Sequence, residues 1–213
     1  MILKGSGGPS KLVTMWKLVP NILTFARLAL TIVFLGMILY WPHVGARPSF
    51  LDAAFVLFVI AGLTDVVDGH IARRWNATSK FGRIIDPLVD KVLVCGAFIC
   101  FAIIGVPKLF GWGPAALGLV HWGVAVILVV REAYVTILRH RAEARGINFA
   151  AVRLGKIKMF VQVFAIGTVL IKAAHVPAAW GHWFTLAVFV LMVVITVVSG
   201  LQATRRVRTP AVC

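Results

Sequence analysis

Four of the chain's seven acidic residues lie between positions 65 and 90, as Asp65, Asp68, Asp86 and Asp90. On a helix, Asp65, Asp68 and Ala72 share one face, and Asp86 and Asp90, four apart, share another. Two carboxylate pairs thereby project from two helices joined by a short basic loop. Four carboxylates so close at low dielectric either take up protons or are neutralised by a cation. Ligation by oxygen alone points to a hard ion, Mg²⁺ or Mn²⁺, and away from zinc. Mg²⁺ typically binds one or two carboxylates together with substrate phosphates, so the expected substrate is a phosphate ester or diphosphate. A salt-bridge network with Arg73, Arg83 and Lys91 is the blander use of these acids, and four buried acids are a costly way to build one. Gly69 and Ala72 are small and leave room beside the first pair. Pro87 either frees the Arg83 carbonyl inside a helix or marks a helix start with Asp86 as its cap.

The elements that must position these acids are membrane helices. The 213 residues are 61% apolar and 14% charged, with a mean hydropathy of +0.96. Soluble domains average about 45–50% and about 25%, so a soluble single-core domain is excluded. Six stretches approach the roughly 20 apolar residues that cross hydrocarbon: Ile22–Tyr40, Leu51–Arg73, Gly82–Val106, Ala115–His140, Lys158–His175 and Trp183–Ala203. The first is not a cleavable signal peptide, since it lacks a small-residue cleavage site. Ahead of it, residues 12–19 mix apolar and basic side chains and suit a short interfacial helix. The expected fold is an all-α polytopic membrane protein of six transmembrane helices with that short N-terminal interfacial helix. Residues 1–19 form a flexible and interfacial segment, 20–206 the helical domain and 207–213 a tail.

The net charge of +15 is distributed unevenly. With six spans, 16 of the 22 basic residues fall on one side, which makes that side and both termini cytoplasmic. The polar residues inside the spans gather in the same half: Asn21, Arg27, the four aspartates, Lys91, and Arg131 with Glu132. These last two lie roughly 12 Å above the end of the fourth span. Intramembrane ionisable groups face a cavity or one another, so the sequence describes a polar chamber open to the cytoplasm. Such a chamber suits an enzyme that takes one lipid and one water-soluble substrate. A cation transporter, with a site near the midplane and access from both sides, fits less well. The basic surplus predicts contact with anionic membrane lipids and no nucleic-acid partner. Cys95, Cys100 and Cys213 imply no disulfide framework. The histidines show no metal spacing, and His70 reads as packing.

The pattern Asp-x2-Asp-Gly-x2-Ala-Arg-x8-Gly-x3-Asp-x3-Asp, carried by Asp65, Asp68, Gly69, Ala72, Arg73, Gly82, Asp86 and Asp90, resembles that of the CDP-alcohol phosphatidyltransferases at all eight fixed positions. The resemblance covers nearly the whole chain. Further segments resemble the branch of the family whose acceptor is sn-glycerol 3-phosphate. They are Pro20-Asn21-Ile22-Leu23-Thr24 with Arg27, residues 72–76, Asp86-Pro87-Leu88-Val89-Asp90-Lys91, Arg131-Glu132, and Gly155-Lys156-Ile157-Lys158 with Gln162. Val89 and Met159 depart from that branch's usual Ala and Thr.

The resemblance implies transfer of a phosphatidyl group from CDP-diacylglycerol, with CMP as leaving group. Asp65, Asp68, Asp86 and Asp90 would hold two divalent ions, Mg²⁺ or Mn²⁺, and Asp90 would also be the general base. Gly69, Arg73 and Ser79 resemble the nucleotide-binding part of the motif, with Asn21 and Thr24 on the same donor. The phosphate of sn-glycerol 3-phosphate would meet Arg131, Arg139, Lys156 and Lys158. For Arg139 and Lys158, ordinary positive-inside charge is an equal reading. Family likeness also implies a homodimer in a bacterial inner membrane. Within the family, a cardiolipin synthase or a phosphatidylinositol-phosphate synthase would differ only in its acceptor. A transporter would release no CMP.

Overall fold

The computed structural model describes residues 11–45, 47–75, 80–145 and 153–208, and the side chains of 24–45, 47–64, 87–145 and 154–205. Among the described residues the chain is helical with no strand. Six long helices are present: α1 (Lys11–Tyr40), α2 (Pro48–Trp75), α3 (Lys80–Ile104), α4 (Pro114–Ala144), α5 (Arg153–His175) and α6 (Ala179–Arg208), with a 3₁₀ turn over Trp41–Val44 after α1. Residues 12–19, expected as a separate short helix, are instead the opening turns of α1. Only Pro20 interrupts otherwise tolerant residues, and one proline removes one hydrogen bond without ending a long helix.

Five of the six helices contain a stretch long and apolar enough to cross a membrane: Thr24–Val44, Pro87–Ile104, Pro114–Ala144, Leu154–His175 and Ala179–Arg205. The apolar part of α2 among the described side chains, Pro48–Thr64, is shorter than a full span.

The helices form a closed ring. Each packs on two neighbours in the order α1, α2, α5, α6, α4, α3 and back to α1, and α3 also meets α5 across the middle. The core is made of one stripe from each helix. On α1 the buried side chains are Thr24, Arg27, Thr31, Phe34 and Ile38, three or four apart. On α2 they are Leu51, Ala54, Phe58 and Ala61. Phe34 and Phe58 meet with ring centroids 5.3 Å apart, and Phe98 sits edge-on to Phe189 at 6.1 Å. At the crossing of α1 with α3, Gly96 makes room for Leu35: a methyl group on Gly96 would lie 2.8 Å from Leu35 Cδ1. Large apolar side chains cover the outside, with Leu119 78% and Phe160 72% exposed. Apolar surface of that extent belongs against hydrocarbon.

Two of the stripes change chemistry at the same end of the ring. Counted onward along α2, the register of Leu51, Ala54, Phe58 and Ala61 falls on Asp65, Asp68 and Ala72. Counted backward along α3, the register of Ala97 and Leu93 falls on Asp90 and Asp86. α3 begins at Lys80 and contains Pro87 in its interior, so Asp86 does not cap a helix start there. The Arg83 carbonyl loses its usual partner, because Pro87 has no N–H to donate.

Candidate active site

The polar ties between helices α3 to α6 lie at the end of the ring that carries the aspartates. α4 supplies three of them from residues within one and a half turns. Arg131 Nη2 donates to Ser199 Oγ of α6 at 2.8 Å, and Arg131 Nη1 donates to Glu132 Oε1 at 2.8 Å. Lys158 Nζ of α5 donates to the same Glu132 Oε1. Lys91 Nζ of α3 donates to Thr136 Oγ1 at 2.5 Å, and Thr136 donates in turn to the Glu132 carbonyl at 2.6 Å. Tyr134 and Thr204 close a further α4–α6 bond at 3.0 Å.

This is a buried ionic cluster. Lys158 is 6% exposed, and the side chains of Arg131 and Glu132 are each 13% exposed. Two cations face the one carboxylate of Glu132, and with Lys91 and Asp90 included three cations stand against two carboxylates. Arg131 passes through a gap at Gly200, where a methyl group would lie 3.4 Å from Arg131 Cγ. The buried Arg131 Nε and Gln162 Nε2 have no hydrogen-bond partner among the described residues. Gln162 lies one turn along α5 from Lys158 and is 2% exposed. Buried donors without acceptors are uncommon in folded proteins, and Arg131 Nε belongs to a cluster already rich in positive charge. The arrangement has the makings of a receptor for an anion.

The cluster adjoins Asp90. Asp90 is half-buried on α3, and its charge acts on Lys158 and on Cys95, five residues further along the same helix. Asp65, Asp68, Gly69 and Arg73 lie on the last turns of α2, and Asp86 lies one turn before Asp90 on α3. Their side chains, with that of Asn21 on α1, lie outside the described residues, as does Ser79 altogether. Thr24 is buried on the inner face of α1, one turn before buried Arg27. No group of three or more potential metal ligands occurs among the described residues, a set that includes Asp90 but not the side chains of the other three aspartates.

Of the four basic residues expected at the acceptor, Arg131 and Lys158 meet at Glu132. Arg139 and Lys156 are exposed, Arg139 two turns beyond Arg131. Lys158 is no loop charge, because α5 begins at Arg153 and places it in the second helical turn. Four contributors were not singled out by sequence reasoning: Thr136, Thr196, Ser199 and Gly200. Thr196, Ser199 and Gly200 did carry a signal, being small or hydroxylated residues three and four apart in an otherwise apolar helix.

An apolar cavity of about 350 Å³ lies elsewhere, between α2, α5 and α6, lined by Phe55, Phe58, Phe164, Trp180 and Phe184 among others. Its wall is hydrocarbon apart from Lys172, whose Nζ donates to the Val176 carbonyl at 2.8 Å, and from threonines bonded within their own helices. Lys172 is its one charged group among the described residues.

Residues 17–201 match the CDP-alcohol phosphatidyltransferase family, and the chain belongs to it. Members of this family generally depend on a divalent metal. Among curated relatives, the chain is 35% identical over 188 residues to the CDP-diacylglycerol–glycerol-3-phosphate 3-phosphatidyltransferase of Bacillus subtilis (strain 168), covering 85% of this chain and 90% of that one. It is 33% identical over 191 residues to a probable phosphatidylglycerophosphate synthase of Mycobacterium tuberculosis (strain ATCC 25618 / H37Rv), covering 87% and 79%. It is 32% identical over 189 residues to the CDP-diacylglycerol–glycerol-3-phosphate 3-phosphatidyltransferase of Escherichia coli (strain K12), covering 86% and 91%.

Proposed function

We propose that the protein transfers the phosphatidyl group of CDP-diacylglycerol to sn-glycerol 3-phosphate, giving phosphatidylglycerophosphate and CMP. The observation that carries this reading is the buried Arg131–Glu132–Lys158 cluster beside Asp90 of the family's aspartate signature. An acceptor that is itself a phosphate monoester needs buried positive charge next to the general base, whereas an uncharged alcohol does not. The names of the relatives in three bacterial species support the same acceptor.

In this reading Asp90 takes the proton of the acceptor hydroxyl as its oxygen attacks the phosphorus that bears diacylglycerol. The new phosphorus–oxygen bond forms in line with the departing CMP oxygen, and the diphosphate bond breaks. Arg131 and Lys158 hold the acceptor's phosphate so that the hydroxyl faces Asp90, with Arg139 and Lys156 at the exposed rim, where they draw the anion inward. Gly69, Arg73 and Ser79 bind the nucleotide, assisted by Asn21 and Thr24. Asp65, Asp68, Asp86 and Asp90 form an all-oxygen donor set that fits Mg²⁺ or Mn²⁺, two ions in all. Bound there, the metal would neutralise the diphosphate and the charge growing on CMP.

The positive-inside distribution supports six crossings, with both termini and the site on the cytoplasmic face of a bacterial inner membrane. A second copy of the chain completes a homodimer. The test is direct. Purified protein is incubated with CDP-diacylglycerol and Mg²⁺, with each alcohol in turn, and CMP is measured. Release is expected with sn-glycerol 3-phosphate and is abolished by EDTA. Release only with phosphatidylglycerol or inositol phosphate would replace the acceptor, and none with any alcohol would remove the enzyme reading.

A further inference from the structure

We propose that Glu132 is the positioning residue of the acceptor site: one carboxylate oxygen holds Arg131 and Lys158 together as a pair for a phosphate monoester to bridge. This rests on the reading that the acceptor's phosphate enters between those two cations.

Arg131 and Lys158 stand on different helices, and two like charges brought to one oxygen atom repel one another. Glu132 Oε1 accepts from both, which keeps them within reach of a single atom. Their dependence on it differs. Arg131 has a second anchor in Ser199, which is itself fixed to the Thr196 carbonyl at 2.9 Å. For Lys158, Glu132 is the hydrogen-bond partner among the described residues. Glu132 is in turn held at its backbone, where Thr136 bonds its carbonyl. With Lys91 and with Asp90, whose charge acts on Lys158, three cations stand against two carboxylates and one positive charge is left over, while Arg131 Nε and Gln162 Nε2 still lack acceptors among the described residues. A dianionic ester supplies counter-charge, and an uncharged hydroxyl compound does not. Glu132 thus assembles the cations without cancelling them, and favours acceptors that carry a phosphate.

The experiment measures CMP release by the purified full chain in detergent micelles with Mg²⁺, for wild type, Glu132→Gln and Glu132→Asp, varying each substrate separately. Glu132→Gln raises KM for sn-glycerol 3-phosphate by about ten-fold or more and leaves KM for CDP-diacylglycerol within about two-fold. Glu132→Asp keeps the charge but is one methylene short of spanning both cations, and raises the acceptor KM by about three-fold. A parallel rise in both KM values, or a change in neither, overturns the proposal and leaves Glu132 a packing role. Should Glu132→Gln fail to fold, the aspartate variant decides, and a wild-type acceptor KM there overturns the proposal. Wild-type protein that releases CMP only with an alcohol that carries no phosphate monoester overturns the acceptor reading and the proposal together. Wild-type activity with sn-glycerol 3-phosphate and a flat response at Glu132 overturns the proposal alone.

Discussion

At the scale of single residues, the chemistry is divided between groups that are close together yet differ in role. Asp90 carries the proton transfer in the proposed reaction. Asp90→Asn keeps the shape and removes the base, so turnover should fall by about 10²–10⁴ while the protein elutes from gel filtration like wild type. Near-normal CMP release by that variant would remove Asp90 from the role. Lys158→Met tests a different quantity. It keeps the aliphatic stem and deletes the charge, so KM for sn-glycerol 3-phosphate should rise about ten-fold with less effect on kcat. Equal loss at both substrates would move Lys158 out of the acceptor site. The two residues were not equally legible in the sequence. Asp90 stood out because spacing alone puts acids on shared helical faces, whatever surrounds them. Lys158 did not, because hydropathy started the fifth span at Lys158 and the helix in fact starts at Arg153. A lysine at a span's edge and one in its second turn have the same sequence signature, and only packing distinguishes them.

At the scale of elements, the ring depends on close approach between helices, and Gly96 at the α1–α3 crossing shows how. An added methyl would meet the tip of a flexible leucine, Leu35, which can shift. Gly96→Ala should therefore change thermal stability in detergent little. Gly96→Leu cannot be absorbed that way and should cost about 1–3 kcal/mol by forcing α1 from α3. If the two variants melt alike, the crossing is looser than described. The six helices were legible from apolar length, and their ends shifted by several residues. The first was extended backward through Pro20, because a proline weakens a long helix at one bond only. The position of Pro87 was undecidable from sequence, since a helix start and a helix interior both tolerate the local residues. The Arg131–Ser199 bond was not legible, because a serine in an apolar helix shows no preference for a partner until the helices are packed.

At the scale of the whole molecule, the distribution of polarity sets a direction. One end of the ring holds the ionic cluster and the aspartate register. The other is tied by an exposed His175–Asp52 pair at 2.7 Å and by single bonds such as Trp41 Nε1 to the Arg47 carbonyl at 3.2 Å. In sealed vesicles of known sidedness, water-soluble acceptor should be consumed and CMP released only on the face that was cytoplasmic. Turnover with acceptor confined to the opposite side would reverse the orientation. The sequence carried this polarity in its loop charges, while the ring order of the helices, with α5 beside α2 and α4 beside α6, left no trace in any one segment.

The hold that α4 has on three neighbours has a consequence for the order of events. Thr136 binds Lys91 beside Asp90, Glu132 binds Lys158, and Arg131 binds Ser199. A helix fixed on three sides cannot move toward one neighbour without disturbing the others, so the acceptor cations and the segment bearing Asp90 tighten or loosen together. Any coupling between donor and acceptor binding that this linkage produces is reciprocal, its factor the same whichever binds first. The coupling itself therefore sets no order of addition, which is left to the two separate affinities and to access routes and rates.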